Sequence, residues 1–256
     1  MILLKIGVKG RKLLYYGAKK IYPSHGKPFS ARQLIRGLQK YDVKEDGTKN
    51  MGAKPWNRMS CIYDLFMLKD RKMYKAIVNE ILKQSDSKNN LLEIGTGTGI
   101  LSIMLADYFK GISAVDFSEE MIGIATGKAV KKKLDHIDFQ VGDATNLQFE
   151  DSSYDNIVIA NVLHIMPEPE KALAEIKRVL KDDGILFAPT FTHEGSSKAG
   201  VFAKIAGIIG FKAYSKWTQE SYKQFLEANG FKVVYISDIK ASFPQTFTVC
   251  RQVILD

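Results

Sequence analysis

Apolar and polar residues follow regular patterns along most of the chain. Apolar residues at every third or fourth position indicate helices, and short apolar runs bounded by glycine, proline or polar residues indicate strands. The predicted helices span 57–68, 71–83, 99–109, 119–132, 168–180 and 218–228, and the predicted strands span 91–94, 112–116, 137–141, 155–160, 184–191, 231–237 and 245–253. Strands that alternate with such helices favour a parallel sheet covered on both faces. No helix separates the last two strands, so the final strand is expected to run antiparallel.

Three glycines follow the first strand of this α/β pattern. In the stretch LLEIGTGTGILS they are Gly95, Gly97 and Gly99, and Glu93 precedes them. Glycines after a buried strand permit a tight turn and a close approach of the backbone to a ligand, and the next helix offers free N–H groups. A dinucleotide-binding turn has its third glycine three positions after the second, where this chain has Ile100. The spacing therefore favours a different ligand.

Acidic residues stand at the ends of the next two strands. Asp116 closes the strand ISAVD, where it can accept hydrogen bonds from both hydroxyls of a ribose, and Asp143 follows a glycine in VGDATNLQF. With Asp155 opening the fourth strand and DDG preceding the fifth, these blocks resemble the class I S-adenosylmethionine-dependent methyltransferases, whose first motif has the form E/D-x-G-x-G-x-G. The resemblance covers about residues 90–192 and extends through the closing elements. The most similar branch holds enzymes of the ubiquinone- and menaquinone-biosynthesis type and other small-molecule methyltransferases.

The resemblance implies a Rossmann-like fold, with a seven-stranded, mostly parallel sheet, helices on both faces and an antiparallel last strand. It implies S-adenosyl-L-methionine as the cofactor, S-adenosyl-L-homocysteine as the product, and a small-molecule methyl acceptor. No metal is expected, because the two cysteines and four histidines lack metal-ligand spacing. Since the sulfonium already carries the activation for an in-line displacement, the protein must mainly position the acceptor and exclude water.

The same resemblance assigns residues to the cofactor. Glu93 would meet the methionine amino group, and Asp116 would bind the ribose. Asp143 and Ala144 would lie beside the adenine. The full set of predicted cofactor-binding residues is Tyr63, Glu93, Gly95, Thr96, Gly97, Gly99, Asp116, Phe117, Met121, Asp143, Ala144 and Asn161.

Several of these residues have a structural alternative. Glu93 could instead organise the glycine turn. Asp116 could cap the following helix, a task that Ser118 could also perform. Phe117 and Met121 could cover the faces of the adenine, although Met121 could equally belong to the core.

His164 and Tyr63 are open to two interpretations each. His164 follows the fourth strand and is the candidate catalytic residue, because it could accept a proton from a substrate hydroxyl or an acidic carbon. In the family a histidine at this place also forms part of the cofactor wall. Tyr63 matches a tyrosine–aspartate pair that lies over the cofactor in this branch, or it is a buried aromatic residue of the helix 57–68.

The chain is expected to contain a basic N-terminal extension, residues 1–50, and a methyltransferase domain, residues 51–256. Within the domain, an insertion at about 192–217 is expected to form a substrate lid, although a hydrophobic core under the insertion would have the same pattern. The aromatic residues of this insertion are Phe202, Phe211 and Trp217.

The positive charge of the chain is concentrated at its start. Residues 1–50 hold twelve Lys or Arg and three Asp or Glu, whereas the remaining residues are balanced. Lys5, Lys9, Lys12 and Lys19 recur at helical spacing, although nearby glycines weaken a helix. This segment is expected to form a solvated basic face packed on the catalytic domain, or a substrate cap. Contact of residues 1–40 with RNA, as in an RNA methyltransferase, or with an anionic membrane, as in an enzyme acting on a lipid or quinone-like substrate, is the alternative interpretation. For an RNA methyltransferase, an N/D-P-P-Y-type motif would be expected after the fourth strand. This chain has NVLH there, which argues against RNA as the substrate.

The expected location is the cytoplasm, with peripheral membrane contact as an alternative. Two widely separated cysteines suit a reducing compartment better than a disulfide framework. No apolar run reaches the roughly 18 residues that cross a bilayer, and the start of the chain lacks a secretory cleavage site. The small-molecule acceptor is the expected partner, and no obligate protein partner is evident.

Overall fold

The structure is a computed structural model, and it describes residues 5–9, 12–16, 70–85, 90–192, 214–239 and 245–254. Backbone contacts divide the chain into two compact units, residues 1–50 and residues 51–256, which are described separately. The predictions that fall outside the described residues concern the helix 57–68, Tyr63, Phe202 and Phe211.

The first unit contains an antiparallel β-hairpin. Strand β1 (Lys5–Lys9) pairs with strand β2 (Lys12–Tyr16), and Lys9 stands opposite Lys12. The spacing of Lys5, Lys9 and Lys12 suits a helix, but these residues lie in strands, and the low helix propensity of Gly7 works in the same direction. Contact of residues 1–40 with a membrane or a nucleic acid stays a prediction.

The second unit is built on one mixed sheet. Its strands are β3 (Leu91–Ile94), β4 (Ile112–Asp116), β5 (Ile137–Val141), β6 (Tyr154–Ile159), β7 (Leu180–Phe187), β8 (Thr190–Phe191), β9 (Phe231–Ile239) and β10 (Gln245–Gln252). They are arranged in the order β5-β4-β3-β6-β7-β10-β9, with β8 beside the start of β10. Strands β3 to β7 are parallel, and β10 runs antiparallel to its neighbours β7, β8 and β9. The predicted Rossmann-like sheet with an antiparallel last strand is confirmed.

The sheet has eight strands where seven are predicted, because the predicted strand 184–191 is divided. Its first part starts earlier, at Leu180, which pairs with Tyr154 at the beginning of β6. The division falls at Pro189, which has no N–H to continue the ladder. The carbonyl of Pro189 instead accepts a hydrogen bond from the Asn161 N–H at 2.8 Å.

Helices cover both faces of this sheet. Alternate residues of β6 belong to different core clusters, Ile157 and Ile159 to one and Val158 to the other, so the two clusters lie on opposite faces. The described helices are α1 (Arg71–Gln84), α2 (Ile100–Leu105), α3 (Glu119–Lys132), α4 (Pro169–Val179) and α5 (Gln219–Ala228). Helices α4 and α5 pack in the first cluster, and α1 and α2 pack in the second. None of the described helices is long and apolar enough to span a bilayer.

Trp217 lies in the core beside α5. It is 9% exposed, and its ring lies 4.9 Å from the ring centroid of Tyr222 and 4.9 Å from that of Phe225. The Tyr222 hydroxyl in turn donates a hydrogen bond to the carbonyl of Ala188 at 3.0 Å. Trp217 therefore anchors the chain on the sheet, which matches the alternative of a hydrophobic core at this position. The substrate lid at about 192–217 stays a prediction.

We expect Trp217→Ala to lower the free energy of unfolding by about 3–5 kcal/mol, because it leaves a large cavity beside Tyr222. Urea denaturation followed by fluorescence of the remaining tryptophan or by circular dichroism measures this loss. The matched control is Lys216→Ala, which changes the exposed neighbour. Equal stability of the two variants would show that Trp217 is not a core residue.

Candidate cofactor and acceptor site

The glycine turn connects β3 to α2 at the carboxyl edge of the parallel strands. All three glycines have left-handed backbone conformations, with φ of 73° at Gly95, 56° at Gly97 and 75° at Gly99. The N–H groups of Gly95 and Thr96 donate to the carbonyl of Val115 at 2.8 and 3.0 Å, which ties the turn to β4. Because residues other than glycine rarely adopt such φ values, the turn itself favours glycine at all three positions.

Close contact with the side chain of Val162 is a second reason why position 95 requires glycine. A Cβ atom placed there would lie 2.2 Å from Cγ2 of Val162, far inside contact distance. Val162 follows β6, so the glycine allows the turn after β3 to touch the segment after β6. The absence of a side chain at position 95 thus brings two parts of the site together.

Glu93 lies beneath this turn and is 3% exposed. Its Oε2 accepts hydrogen bonds from the hydroxyls of Thr96, at 2.8 Å, and Ser102. Burial raises the pKa of the Glu93 carboxyl to about 7, and the hydrogen bonds from Ser102 and Thr96 act in the opposite direction. These contacts support the alternative in which Glu93 organises the turn. Contact with the methionine amino group stays a prediction.

The raised pKa of Glu93 predicts a pH-dependent stability. An acid whose pKa is higher in the folded state than the ordinary 4.5 contributes most below pH 4.5, and its contribution falls as the pH rises to about 7. We expect the free energy of unfolding to lose about 3 kcal/mol from this group over that range. Urea denaturation at pH 5, 6, 7 and 8 measures the slope. Glu93→Gln, which stays neutral, should flatten the slope, and parallel curves for the two proteins would contradict the prediction.

Asp116 ends β4 directly beside the glycine turn. Its Oδ2 accepts the N–H of Gly97 at 2.8 Å, and its Oδ1 accepts the N–H of Ser118 at 2.9 Å. Burial raises the pKa of the carboxyl, while the backbone N–H groups oppose the increase. Ser118 is the N-cap of α3, because its Oγ accepts the N–H of Met121. Asp116 is therefore not needed as the cap, and each of its oxygens retains a lone pair for a ligand hydroxyl.

The two candidates for the faces of the adenine differ in exposure. The Phe117 side chain is 51% exposed, so its ring offers apolar surface beside Asp116. Met121 is 1% exposed and lies on the buried side of α3. Its position corresponds to the core alternative, and Met121 presents no surface to a ligand.

Asp143 follows β5 at the same edge. It is exposed, and its Oδ1 accepts hydrogen bonds from both the N–H and the hydroxyl of Thr145 at 2.8 Å. Ala144 is half-buried and packs against the core cluster that contains Ile157 and Ile159. Strand β5 is the edge strand of the sheet and lies beside β4. Asp143 and Ala144 therefore lie next to Asp116, on the side opposite to β6.

Asn161 and His164 lie after β6, on the other side of the glycine turn. Asn161 has a φ of 59°, and its Oδ1 accepts a hydrogen bond from Nε2 of Gln245 at 2.7 Å. The half-buried His164 places Nδ1 3.3 Å from the hydroxyl of Thr190, and its ring meets Phe191 edge to face at 5.7 Å. The backbone carbonyl of His164 accepts N–H groups at the start of the segment that leads to α5.

Buried polar side chains at the start of β10 and around β8 were not predicted. Thr192 and Thr246 lie 3.1 Å apart through their hydroxyls, and both are buried together with Thr190 and Gln245. In the stretch QTFTVC, the residues TFTV alternate between polar and apolar, a pattern typical of a strand with one exposed face, so the sequence contains no signal that all six residues are buried. Their burial follows from the position of β10 between β7 and β9 in a sheet that is covered on both faces.

Comparison with known proteins matches the part of the chain that builds this site. Residues 92–188 match the family model described as methyltransferase domain. The matched segment starts in β3 and ends just after β7, so it contains the glycine turn, Asp116, Asp143 and His164.

Curated relatives are similar over part of their length. The chain is 41% identical over 103 residues to a demethylmenaquinone methyltransferase of Renibacterium salmoninarum, which aligns 40% of this chain with 41% of the relative. It is 34% identical over 98 residues to the uncharacterized methyltransferase YcgJ of Bacillus subtilis, covering 38% and 39%. It is 34% identical over 118 residues to a phosphatidylethanolamine N-methyltransferase of Cereibacter sphaeroides, covering 45% and 58%. The aligned segment thus spans 39% to 58% of these relatives.

Solved structures share the fold at low sequence identity. A chain from the complex between the Haloferax volcanii Trm112 methyltransferase activator and a methyltransferase superposes with a TM-score of 0.69, at 18% identity, over 80% of this chain and 98% of that one. A SAM-dependent methyltransferase from Aquifex aeolicus gives 0.60 at 20% identity, over 75% and 98%. The [4+2]-cyclase SpnF also gives 0.60, at 19% identity, over 72% and 82%.

The glycine turn, the strand order and the matched segment point to the same class. Residues 92–188 match the methyltransferase domain family, and the sheet around them has the Rossmann-like fold of S-adenosylmethionine-dependent methyltransferases. Its curated relatives include demethylmenaquinone methyltransferases.

Proposed function

We propose that this protein transfers the methyl group of S-adenosyl-L-methionine to a small-molecule acceptor by in-line displacement. The observation that carries the proposal is the position of the Asp116 carboxylate, which the Gly97 N–H holds at 2.8 Å beside a turn of three left-handed glycines. This arrangement provides a carboxylate that can accept hydrogen bonds from a ribose, beside half-buried backbone without side chains at Gly95 and Gly97. Both features are suited to a nucleoside that carries an amino-acid tail.

The donor and acceptor groups at the edge fit this cofactor. The carboxylate of Asp116 suits the two hydroxyls of a ribose, and the exposed ring of Phe117 suits one face of an adenine. The exposed Asp143 and the half-buried Ala144 would meet the edge of the base. Gly95, Thr96, Gly97 and Gly99 would hold the methionine end. When bound, the cofactor supplies an activated methyl group.

The acceptor is expected on the side of Asn161 and His164. Both residues follow β6, and the crevice beyond the carboxyl ends of the strands is where open α/β sheets bind ligands. His164 would accept the proton that an acceptor hydroxyl loses, with Thr190 orienting the imidazole through its contact with Nδ1 at 3.3 Å. The residues of the chain therefore divide between holding the donor and positioning the acceptor.

Cofactor binding is tested by titrating the purified full chain with S-adenosyl-L-homocysteine in a calorimeter. We expect saturable binding of one molecule per chain, and absence of binding at millimolar ligand would reject the proposal. Binding alone does not establish methyl transfer, because a [4+2]-cyclase has the same fold. The second measurement is transfer of tritium from methyl-labelled S-adenosyl-L-methionine to a panel of hydroxylated and aminated small molecules. Binding without transfer to any of them would limit the function to cofactor binding.

A further inference from the structure

The β-hairpin of the first unit has two faces of different composition. Successive residues of a strand alternate between the faces, and the register of β1 with β2 determines which positions share a face. Val8 stands opposite Leu13, whereas Gly7 stands opposite Leu14. The two adjacent leucines therefore belong to opposite faces of the hairpin, a distinction that depends on the register.

One face of the hairpin consists of apolar residues. It is formed by two cross-strand pairs, whose members are Ile6, Tyr15, Val8 and Leu13. The sheet that contains them has two strands, and a two-stranded hairpin is at best marginally stable in water by itself. A surface that receives the apolar face would therefore stabilise the hairpin.

The opposite face is basic. Lys5, Lys9 and Lys12 share it with Leu14, and Lys9 stands directly opposite Lys12. Like charges at directly opposite positions are unfavourable in an antiparallel pair, so this arrangement favours a partner with negative charge. Residues 5–16 contain four Lys or Arg and no Asp or Glu. The charge of the hairpin is thus complementary to an anionic surface.

The two faces together indicate the kind of anionic surface. Segments that lie in the interface of a lipid bilayer combine an apolar face, which enters the boundary of the acyl chains, with lysines near anionic headgroups. Tyr15 and Tyr16 suit this place, because tyrosine is enriched at membrane interfaces. A nucleic acid would attract the lysines through its phosphates but would give the apolar face no partner. The composition of the hairpin therefore favours a lipid surface.

We infer that the hairpin β1–β2 binds the surface of an anionic lipid bilayer, with the face that contains Val8 and Leu13 toward the acyl chains. The inference goes beyond the proposed function, since it adds a lipid surface as a partner and does not depend on the methyl acceptor. Binding of this kind weakens as salt screens the charges.

Sedimentation with lipid vesicles tests the inference with the full chain. The vesicles consist of phosphatidylcholine alone, or of phosphatidylcholine with one quarter phosphatidylglycerol. We expect binding to the anionic vesicles to be at least about tenfold tighter, because each Lys or Arg near an anionic surface contributes about fivefold. Equal binding to the two kinds of vesicle, or binding to neither, overturns the inference.

The two adjacent leucines provide a matched pair of variants. Leu13→Asp and Leu14→Asp change the net charge equally but alter opposite faces. We expect Leu14→Asp to weaken binding to the anionic vesicles about fivefold, through charge alone. Leu13→Asp should weaken it about 50-fold, because it also removes an apolar residue from the face toward the lipid. Equal effects of the two variants would mean that charge alone holds the hairpin, and the inference would be wrong.

A second pair of variants tests the lysines. Lys9→Gln combined with Lys12→Gln removes the two facing charges and should weaken binding to the anionic vesicles about 25-fold. The control combines Lys131→Gln with Lys132→Gln, which removes two exposed lysines of α3, and it should change binding less than about twofold. Equal losses in the two double variants would assign the binding to net charge and reject the role of the hairpin.

Binding of S-adenosyl-L-homocysteine separates this inference from the proposed function. We expect the affinity for this ligand to be the same in the wild type and in all the hairpin variants, which also shows that the variants are folded. If the ligand binds but the vesicles do not, only the role of the hairpin is wrong. If the vesicles bind as expected but the ligand does not, the hairpin keeps its role and the proposed function is wrong.

Discussion

Asp116→Ala is expected to weaken the binding of S-adenosyl-L-homocysteine at least about 100-fold. The substitution removes the acceptor for two ribose hydroxyls, and each charge-assisted hydrogen bond contributes about 1.5–3 kcal/mol. It also releases the Gly97 N–H, which the carboxylate holds at 2.8 Å, and so loosens the turn that receives the cofactor. Isothermal titration calorimetry measures the dissociation constants.

The control for this prediction is Asp138→Ala. Asp138 is an exposed acid on the edge strand β5, and its substitution changes the net charge equally. We expect its affinity for the ligand to equal that of the wild-type protein. A less than threefold effect of Asp116→Ala, in a protein that unfolds like the wild type, would contradict the assignment of Asp116 to the ribose.

Gly95→Ala is expected to lower the free energy of unfolding by about 3 kcal/mol and to abolish measurable cofactor binding. The left-handed conformation at position 95 accounts for about 1–2 kcal/mol, and overpacking accounts for most of the rest. Overpacking arises because the added Cβ would stand 2.2 Å from Cγ2 of Val162. Urea denaturation and calorimetric titration measure the two effects.

The same contact provides a test by rescue. In the double variant Gly95→Ala with Val162→Ala, the nearest remaining atom of residue 162 is its Cβ at 3.3 Å, a distance that a small backbone shift relieves. We expect the double variant to be more stable than the sum of the single effects predicts, by about 1–2 kcal/mol. Strict additivity would mean that the turn after β3 and the segment after β6 do not touch in solution.

The pattern of the sequence predicted most of the fold because the relevant signals are local. Strands β4 and β5 and helix α3 have the predicted bounds, since each is a short apolar run or a capped helix between clear breaks. The interruption at Pro189 and the start of β7 at Leu180 were missed. Both depend on pairing with residues far away in the sequence, at Asn161 and Tyr154.

The prediction of the site was limited in the same way. The turn and Asp116 come together as expected, because the ends of adjacent parallel strands meet at one edge. Periodicity could not show whether Met121 or Trp217 faces a ligand or the core, and both are buried. The contact between Gln245 and Asn161 joins residues 84 positions apart, and no local pattern contains it.

The place of β10 in the sheet has a consequence for synthesis on the ribosome. Strand β9 has β10 as its neighbour, and β7 meets β9 only through β10. When a nascent chain has emerged only as far as residue 239, the parallel strands β3 to β7 can pair, but the edge of β7 lacks its neighbour β10. Unpaired strand edges promote association between chains. Residues 245–252 close that edge last, so slow translation just before this segment should increase aggregation of the new chain.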